Sequence, residues 1–198
     1  MEIEARSSEL FAEPTPLVGW RIWWLHQDCL HSWNLNYIWP PGTVQAECQA
    51  GRLLEPPLPT HHQAPGERCN CGLWALWSLS SCLNKARRER LLMAPGYFPV
   101  VGVIRAWGEV AVHGDEGFRA QYARVVCLVS DSIWDRALDS LTRQPGQLMR
   151  LLARIVPRHL PRREAALNSA ANRYGIPVVP LEQGVRVGLF GELGARVA

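Results

Sequence analysis

The stretch "YFPVVGVIRAWGEVAVHGDEGFRAQYARVVCLV", residues 97–129, decides the fold class. Gly102, Ile104, Ala106, Gly108, Val110 and Val112 alternate with Val101, Val103, Arg105, Trp107, Glu109 and His113, which is the period of two of a β-strand. One face is small and apolar, and the other carries an arginine, a tryptophan and a glutamate in register. Glycines inside such a strand mark a bulge or the close approach of another backbone or a ligand. "HGDEG" (113–117) reads as a turn and "ARVVCLVS" (123–130) as the returning strand.

Working outward, "GWRIWWL" (19–25) is a second strand, with Trp20, Ile22 and Trp24 on one face and Arg21 and Trp23 on the other. The Pro-Pro-Gly turn at 40–42 leads to a short strand ending on Cys48. Residues 49–68 are proline-rich and lack hydrophobic periodicity, so they form a long loop that something must hold. "LWALWSLSSCLNKARRERLL" (73–92) reads as a helix starting after Gly72, its basic end complementing the helix dipole. Beyond residue 130, "SIWDRALDSL", "PGQLMRLLARIV" and "RREAALNSAANRYG" read as helices, the last capped by Gly175. "IPVVPL" (176–181) offers an edge strand, because two prolines exclude a central one. The expectation is an α+β fold: a small twisted sheet or partial β-barrel with a structural zinc site, followed by C-terminal helices. Residues 1–18 form a loosely ordered lead-in, 19–129 the zinc-bearing β-rich domain, and 130–198 a helical region packed on it.

Composition is that of a globular chain, 47% hydrophobic and 20% charged, which excludes a disordered class. No apolar run approaches the roughly 18–20 residues of a membrane span. The acidic, polar start "MEIEARSSEL" is unlike a signal peptide, so the expected place is the cytoplasm. In a reducing compartment six cysteines read as thiols or metal ligands and not as a disulfide framework. The net charge of +3 conceals that the basic residues are arginines apart from Lys85. A GC-rich genome explains that bias by default, although the planar guanidinium also suits phosphate and carboxylate recognition. Of nine tryptophans some must be core, but indole also supplies stacking walls for bases, sugars and cationic groups.

Cys48, His62, Cys69 and Cys71 carry the sharpest chemical signal. Zinc takes four soft or borderline ligands at tetrahedral corners, and a Cys-x-Cys pair supplies two from one tight turn. Pro65-Gly66 provides that turn, and a helix start after Gly72 would place Cys71 near a dipole that favours thiolate. Three cysteines and one histidine fill the coordination sphere, which makes the zinc structural and not hydrolytic. His61 is an alternate ligand or an orienting neighbour. The competing reading is a set of unliganded core cysteines, and Cys29, Cys82 and Cys127 are read that way.

Taken in order, "WPPG" with "AEC", "HQAP", "CNCGLWA", "VVGVIRAWGEV" and "GFRAQYA" resemble a family of uncharacterised small bacterial proteins. Its members pair Trp-Pro-x-Gly and Cys with His-x-Ala-Pro, Cys-x-Cys-Gly, and a later Trp-Gly followed by Gly-aromatic-Arg-Ala-Glu. The likeness spans about residues 19–129. It implies the zinc site, with His62 and not His61 in the shared pattern, and it implies no activity. Gln121 stands where the pattern has a glutamate, which removes an acid/base role there.

Nucleophile elbows, phosphate-binding loops and His-Glu-x-x-His are missing, and "HHQAP" with "CNC" does not fit the deaminase pattern. A zinc-dependent hydrolase, with Glu47 or Glu109 approaching the metal, is the weakest reading. The expectation is instead a non-enzymatic recognition module for nucleic acid, using an aromatic-lined pocket of Arg105, Trp107, Glu109 and Arg119. Arg87, Arg88, Arg150, Arg154 and Arg158 would contact phosphates. The bland alternative makes Arg105 and Glu109 a surface ion pair, Trp107 a core residue and the arginine row a solvated helix face. A protein–protein adaptor presenting exposed tryptophans is the alternative from another class.

Overall fold

A computed structural model of the chain describes residues 16–33, 37–48, 62–89, 97–130 and 160–190. It is a mixed fold, one seven-stranded sheet with a few helices. The strands are β1 (Leu17–His26), β2 (Cys29–Ser32), β3 (Thr43–Gln45), β4 (Leu73–Leu76), β5 (Tyr97–His113), β6 (Gly117–Val129) and β7 (Val178–Val179). The helices are α1 (Leu79–Glu89), α2 (Leu160–Tyr174) and α3 (Leu181–Phe190).

The long hairpin β5–β6 is the spine. β1 pairs antiparallel with β5 along its whole length, from Leu17↔Ala106 to His26↔Tyr97. On the other side β6 pairs with β4 and β3. β4 also touches β1 at Trp20↔Leu76, so the pairings run β1–β5–β6–β4 and back to β1. Small residues line this junction: a methyl on Gly19 of β1 would sit 2.7 Å from Ala75 Cβ of β4, and one on Gly117 of β6 would sit 2.0 Å from the Ala75 carbonyl oxygen. The returning strand starts at Gly117, six residues before the start expected at Ala123. The turn is only Gly114–Glu116, and Phe118 and Ala120 are already fully buried.

Two apolar clusters lie on opposite faces of the sheet. Trp23, Leu25, Trp39, Ile104 and Phe118 form the larger, joined by Leu167, Ala170 and Tyr174 of α2. Trp20, Ile22, Val101, Val103 and Cys127 form the smaller, covered by Leu79, Cys82 and Leu83 of α1 and by Leu181 and Val185 of α3. Arg21 stands on the Trp23 face with its guanidinium 4.5 Å from the Trp39 ring, and it donates a hydrogen bond to the Trp74 carbonyl. Burial pulls that guanidinium down to about 10.

The helix expected directly after Gly72 is corrected. Residues 73–76 are a strand, because Leu73 and Ala75 alternate into the core against Ala120 and Phe118. The helix begins at Leu79, where the Ser78 hydroxyl accepts the Ser81 N–H at 3.1 Å as an N-cap. Cys71 therefore lies at a strand entrance, without a helix dipole behind it. Cys82 and Cys127 are fully buried, but Cys29 is not a core thiol: it is half-buried beside the β1–β2 turn and donates to Asp28 at 3.4 Å.

At the other end, α2 closes with Gly175 at φ +62°, the Gly175 N–H on Asn172 O and the Ile176 N–H on Ala171 O, a Schellman cap. β7 then adds in parallel to β6 alone, as an edge strand. The Tyr174 hydroxyl accepts the Leu30 N–H at 3.0 Å and donates to the Trp39 carbonyl at 2.6 Å, fastening α2 to the N-terminal strands. The lead-in before residue 16 and the two helices expected between 131 and 159, with Arg150, Arg154 and Arg158, lie outside the described residues, as does His61. Among the described residues no helix is long and apolar enough to cross a membrane.

Candidate metal centre

Cys48, His62, Cys69 and Cys71 come together, with their ligand atoms all within 4.8 Å of one another, and this group can hold a metal ion. Two separate backbone segments deliver it. Cys48 follows β3, which is held against β6 by its own pairing and by the Ala46 N–H on the Gln121 carbonyl at 2.7 Å. His62 leads the "HQAPGERCNCG" loop, and Cys69 and Cys71 end it where β4 begins.

The loop is shaped for this task. Gly66 O accepts the Cys69 N–H at 3.2 Å, closing a turn, and the Gly66 N–H points at Cys71 Sγ at 3.2 Å. A side chain at Gly66 would come within 2.5 Å of the His62 ring, so the ring packs where a methyl would be. Gly72 has φ +120°, a value that glycine adopts without strain, and a methyl there would meet Arg119 Cβ at 2.9 Å.

Cys48 Sγ and Cys69 Sγ are 3.6 Å apart, and His62 Nε2 and Cys71 Sγ 3.2 Å. Tetrahedral zinc, with bonds of about 2.3 Å to sulfur and about 2.0 Å to nitrogen, sets S···S edges of about 3.8 Å and S···N edges of about 3.5 Å. Both measured edges are within a few tenths of an ångström of those values. The Cys71 N–H draws the Cys69 thiol down to about 7, whereas burial pushes the Cys71 thiol up to about 11. One proton of the Cys-x-Cys pair is thus easily lost near neutral pH, and the other leaves only when a cation replaces it. Glu47 and Glu109 are not in the group.

Arg119 is placed differently from its expected role as a pocket wall. It is 3% exposed, and its guanidinium donates to the carbonyls of Cys69, Cys71 (2.8 Å) and Gly66 (3.4 Å), while its Nε–H donates to His113 Nε2 at 2.7 Å. The Trp74 ring lies 5.5 Å from the same guanidinium and stacks on His113 at 4.6 Å. Trp74 Nε1–H in turn donates to Asn70 O at 3.2 Å. Arg119 therefore clasps the metal loop to the sheet and adds a positive charge beside three thiols. Sequence reading missed this, along with Trp74 and His113; the available signal was the register, which sets Arg119 between buried Phe118 and Ala120 and opposite Trp74.

Arg105 and Trp107 remain together on one face of β5, both half-buried. Arg105 is directly opposite Arg124, and Trp107 opposite Tyr122 with ring centroids 6.1 Å apart at 22°. Glu109 is exposed at a bulge, where Gly108 takes φ +81° and the Glu109 N–H bonds Gln121 Oε1 at 3.3 Å. Gln121, 6% exposed, thereby serves the backbone in place of acid/base chemistry. Arg87 and Arg88 fall near the end of α1, with side chains outside the described set. Comparison with protein-family models, curated proteins and solved structures found no match to this chain.

Proposed function

We propose that this protein is a recognition module for nucleic acid, folded around a structural zinc ion bound by Cys48, His62, Cys69 and Cys71. Four protein ligands complete a tetrahedron and leave no position for a reacting water, which favours a structural over a hydrolytic metal. The donor set, three thiolates and an imidazole, suits zinc better than the hard cations that prefer oxygen. With three thiolates the centre carries a net negative charge, which Arg119 offsets.

The recognition reading rests on one observation, the side-by-side rows Arg105–Arg124 and Trp107–Tyr122 on the same face of β5 and β6. Two guanidinium groups set directly opposite one another concentrate positive charge on that face, which attracts a phosphate. Aromatic rings beside them offer a stacking surface for a base. The test is binding of the zinc-loaded protein to labelled DNA and RNA across a salt series. Affinity should fall steeply as salt rises, and Arg105→Ala and Arg124→Ala should each flatten the slope of log K against log salt by about 1. Failure to bind any nucleic acid at low salt would overturn the reading. The adaptor alternative draws on a different surface, where Trp77 (37% exposed) and Val112 (61% exposed) flank the β5–β6 turn and Trp77 Nε1–H caps the Gly114 carbonyl.

A further inference from the structure

The two rows do not stop at β6. β3 continues them, with Thr43 opposite Arg124 and Gln45 opposite Tyr122. The face thus reads Arg105–Arg124–Thr43 in one row and Trp107–Tyr122–Gln45 in the next, three strands wide. Between them lies the row Ala106–Ala123–Val44, which points the other way and is fully buried in the core. Thr43, Gln45 and Arg124 are exposed. Successive rows are about 6.8 Å apart along the strands, a spacing that suits a phosphate on one and its base on the other.

The aromatic row is open in a way that the Trp24–Trp33 pair is not. Trp24 and Trp33 are closed face to face at 3.9 Å and 10°, each using the other's ring. Trp107 and Tyr122 are near-parallel with centroids 6.1 Å apart, an offset pair in which neither ring covers the whole face of the other. A third planar group can lie against them. In a duplex every base face is already covered by its neighbours, whereas an unpaired base has a face to give. Duplex readers push a helix or ribbon into a groove about 12 Å wide, and the flat side of a sheet offers no such projection.

Glu109 follows Trp107 at the bulge and is exposed. A carboxylate accepts hydrogen bonds and donates none, so it repels phosphate and favours a base that presents an amino group, such as cytosine or adenine, over thymine or uracil.

Resting on the nucleic-acid reading above, we infer that the ligand is a single strand laid across β5, β6 and β3. Its phosphates lie on the Arg105–Arg124 row, a base stacks on Trp107 and Tyr122, and Glu109 biases that base toward one bearing an amino group. The experiment is fluorescence anisotropy of the zinc-loaded full chain with labelled dC12, dA12 and dT12, competed by unlabelled single strand or a hairpin duplex. Single strands should compete at least tenfold better than duplex, and dC12 and dA12 should bind at least fivefold tighter than dT12. Trp107→Leu and Tyr122→Leu, each checked for zinc content and circular dichroism, should each lower affinity about tenfold, so that the result survives if one variant does not fold. Glu109→Gln should lower the affinity for dC12 and dA12 toward that for dT12, erasing the preference. Equal competition by duplex would overturn the single-strand inference while leaving nucleic-acid recognition standing. Loss of all binding at low salt would overturn both, and equal affinity for dC12, dA12 and dT12 would remove the role given to Glu109.

Discussion

Replacing Arg119 with alanine is the most demanding perturbation, because one side chain holds the metal loop against the sheet. Its guanidinium donates to the carbonyls of Cys69 and Cys71, more weakly to Gly66, and its Nε–H to His113. A hydrogen bond from a charged donor contributes about 1.5–3 kcal/mol, and a carbonyl left buried without a partner costs a similar amount. Counting only the two cysteine carbonyls at the lower end gives about 3 kcal/mol. The cation beside Trp74, 5.5 Å from the ring, adds about 0.5–1 kcal/mol. At 3% exposure the site is little screened by solvent. A loss of about 3–4 kcal/mol is a large part of the roughly 5–15 kcal/mol that keeps a domain folded. Groups that orient metal ligands typically contribute 10- to 100-fold to affinity, so zinc binding should weaken by that factor. Urea unfolding of the zinc-loaded protein, with competition against a chromophoric chelator, measures both quantities. Arg119→Lys should fall between the two proteins, since an ammonium keeps the charge but has no second nitrogen to hold His113 as Nε does while the first holds the carbonyls. An Arg119→Ala protein whose unfolding free energy lies within 0.5 kcal/mol of the parent, on the order of a surface substitution, and whose zinc affinity is within threefold, refutes the clasp.

Four further outcomes are expected. Gly66→Ala places a methyl 2.5 Å from the His62 ring and should reduce zinc affinity while leaving the sheet's far-ultraviolet circular dichroism unchanged. Zinc uptake should release protons: with the Cys71 thiol near 11 in the free site and deprotonated when ligated, that thiol alone makes apparent affinity rise tenfold per pH unit. The Cys69 thiol, already near 7, should steepen the dependence only below that value, which a chelator titration between pH 6 and 9 reads directly. Tyr174→Phe leaves the Leu30 N–H and the Trp39 carbonyl unpaired in the core and should cost about 1–3 kcal/mol by urea denaturation. Asp28 is held below the usual carboxylate range first by its hydrogen bond to Arg173 and then by that from Cys29, so the contribution is present above the ordinary carboxylate pKa and lost as pH falls through the lowered one; Arg173→Ala should shrink that acid-side dependence.

The residues of the candidate metal cluster were readable because their chemistry constrains their identity. A Cys-x-Cys beside a Pro-Gly turn has few other uses, and Cys48 joins it from just beyond β3, which ends at Gln45 and not on Cys48 as expected. The hairpin was readable from its period of two, and the α2 cap from Gly175. The strand at 73–76 was not, because leucines and tryptophans through "LWALW" match helical and strand spacing equally over so short a run. Ser78, an N-cap just before Leu79, was the overlooked boundary. Arg119 was misassigned for a different reason: a buried arginine that satisfies backbone carbonyls and a surface arginine that awaits an anion are the same letter. Only the burial of Phe118 and Ala120 on either side separates them. Trp74 and His113, 39 residues apart in sequence, share a site only because β4 and β5 both pair with β6.

The order in which strands meet bears on how the chain reaches this structure. β5 and β6 are joined by a three-residue turn, so the spine can zip locally on the microsecond scale of hairpins. Apart from the β1–β2 hairpin, the remaining pairings are long-range: β1 arrives on β5 from the N-terminal side, and β7 on β6 from the C-terminal side with α2 beside it. Closing those distant segments is entropically slow, which assigns the rate-limiting step to the docking of the two chain ends on a preformed hairpin. Substitutions in the β5–β6 turn should then alter the refolding rate, whereas those at Tyr174 should act mainly on unfolding.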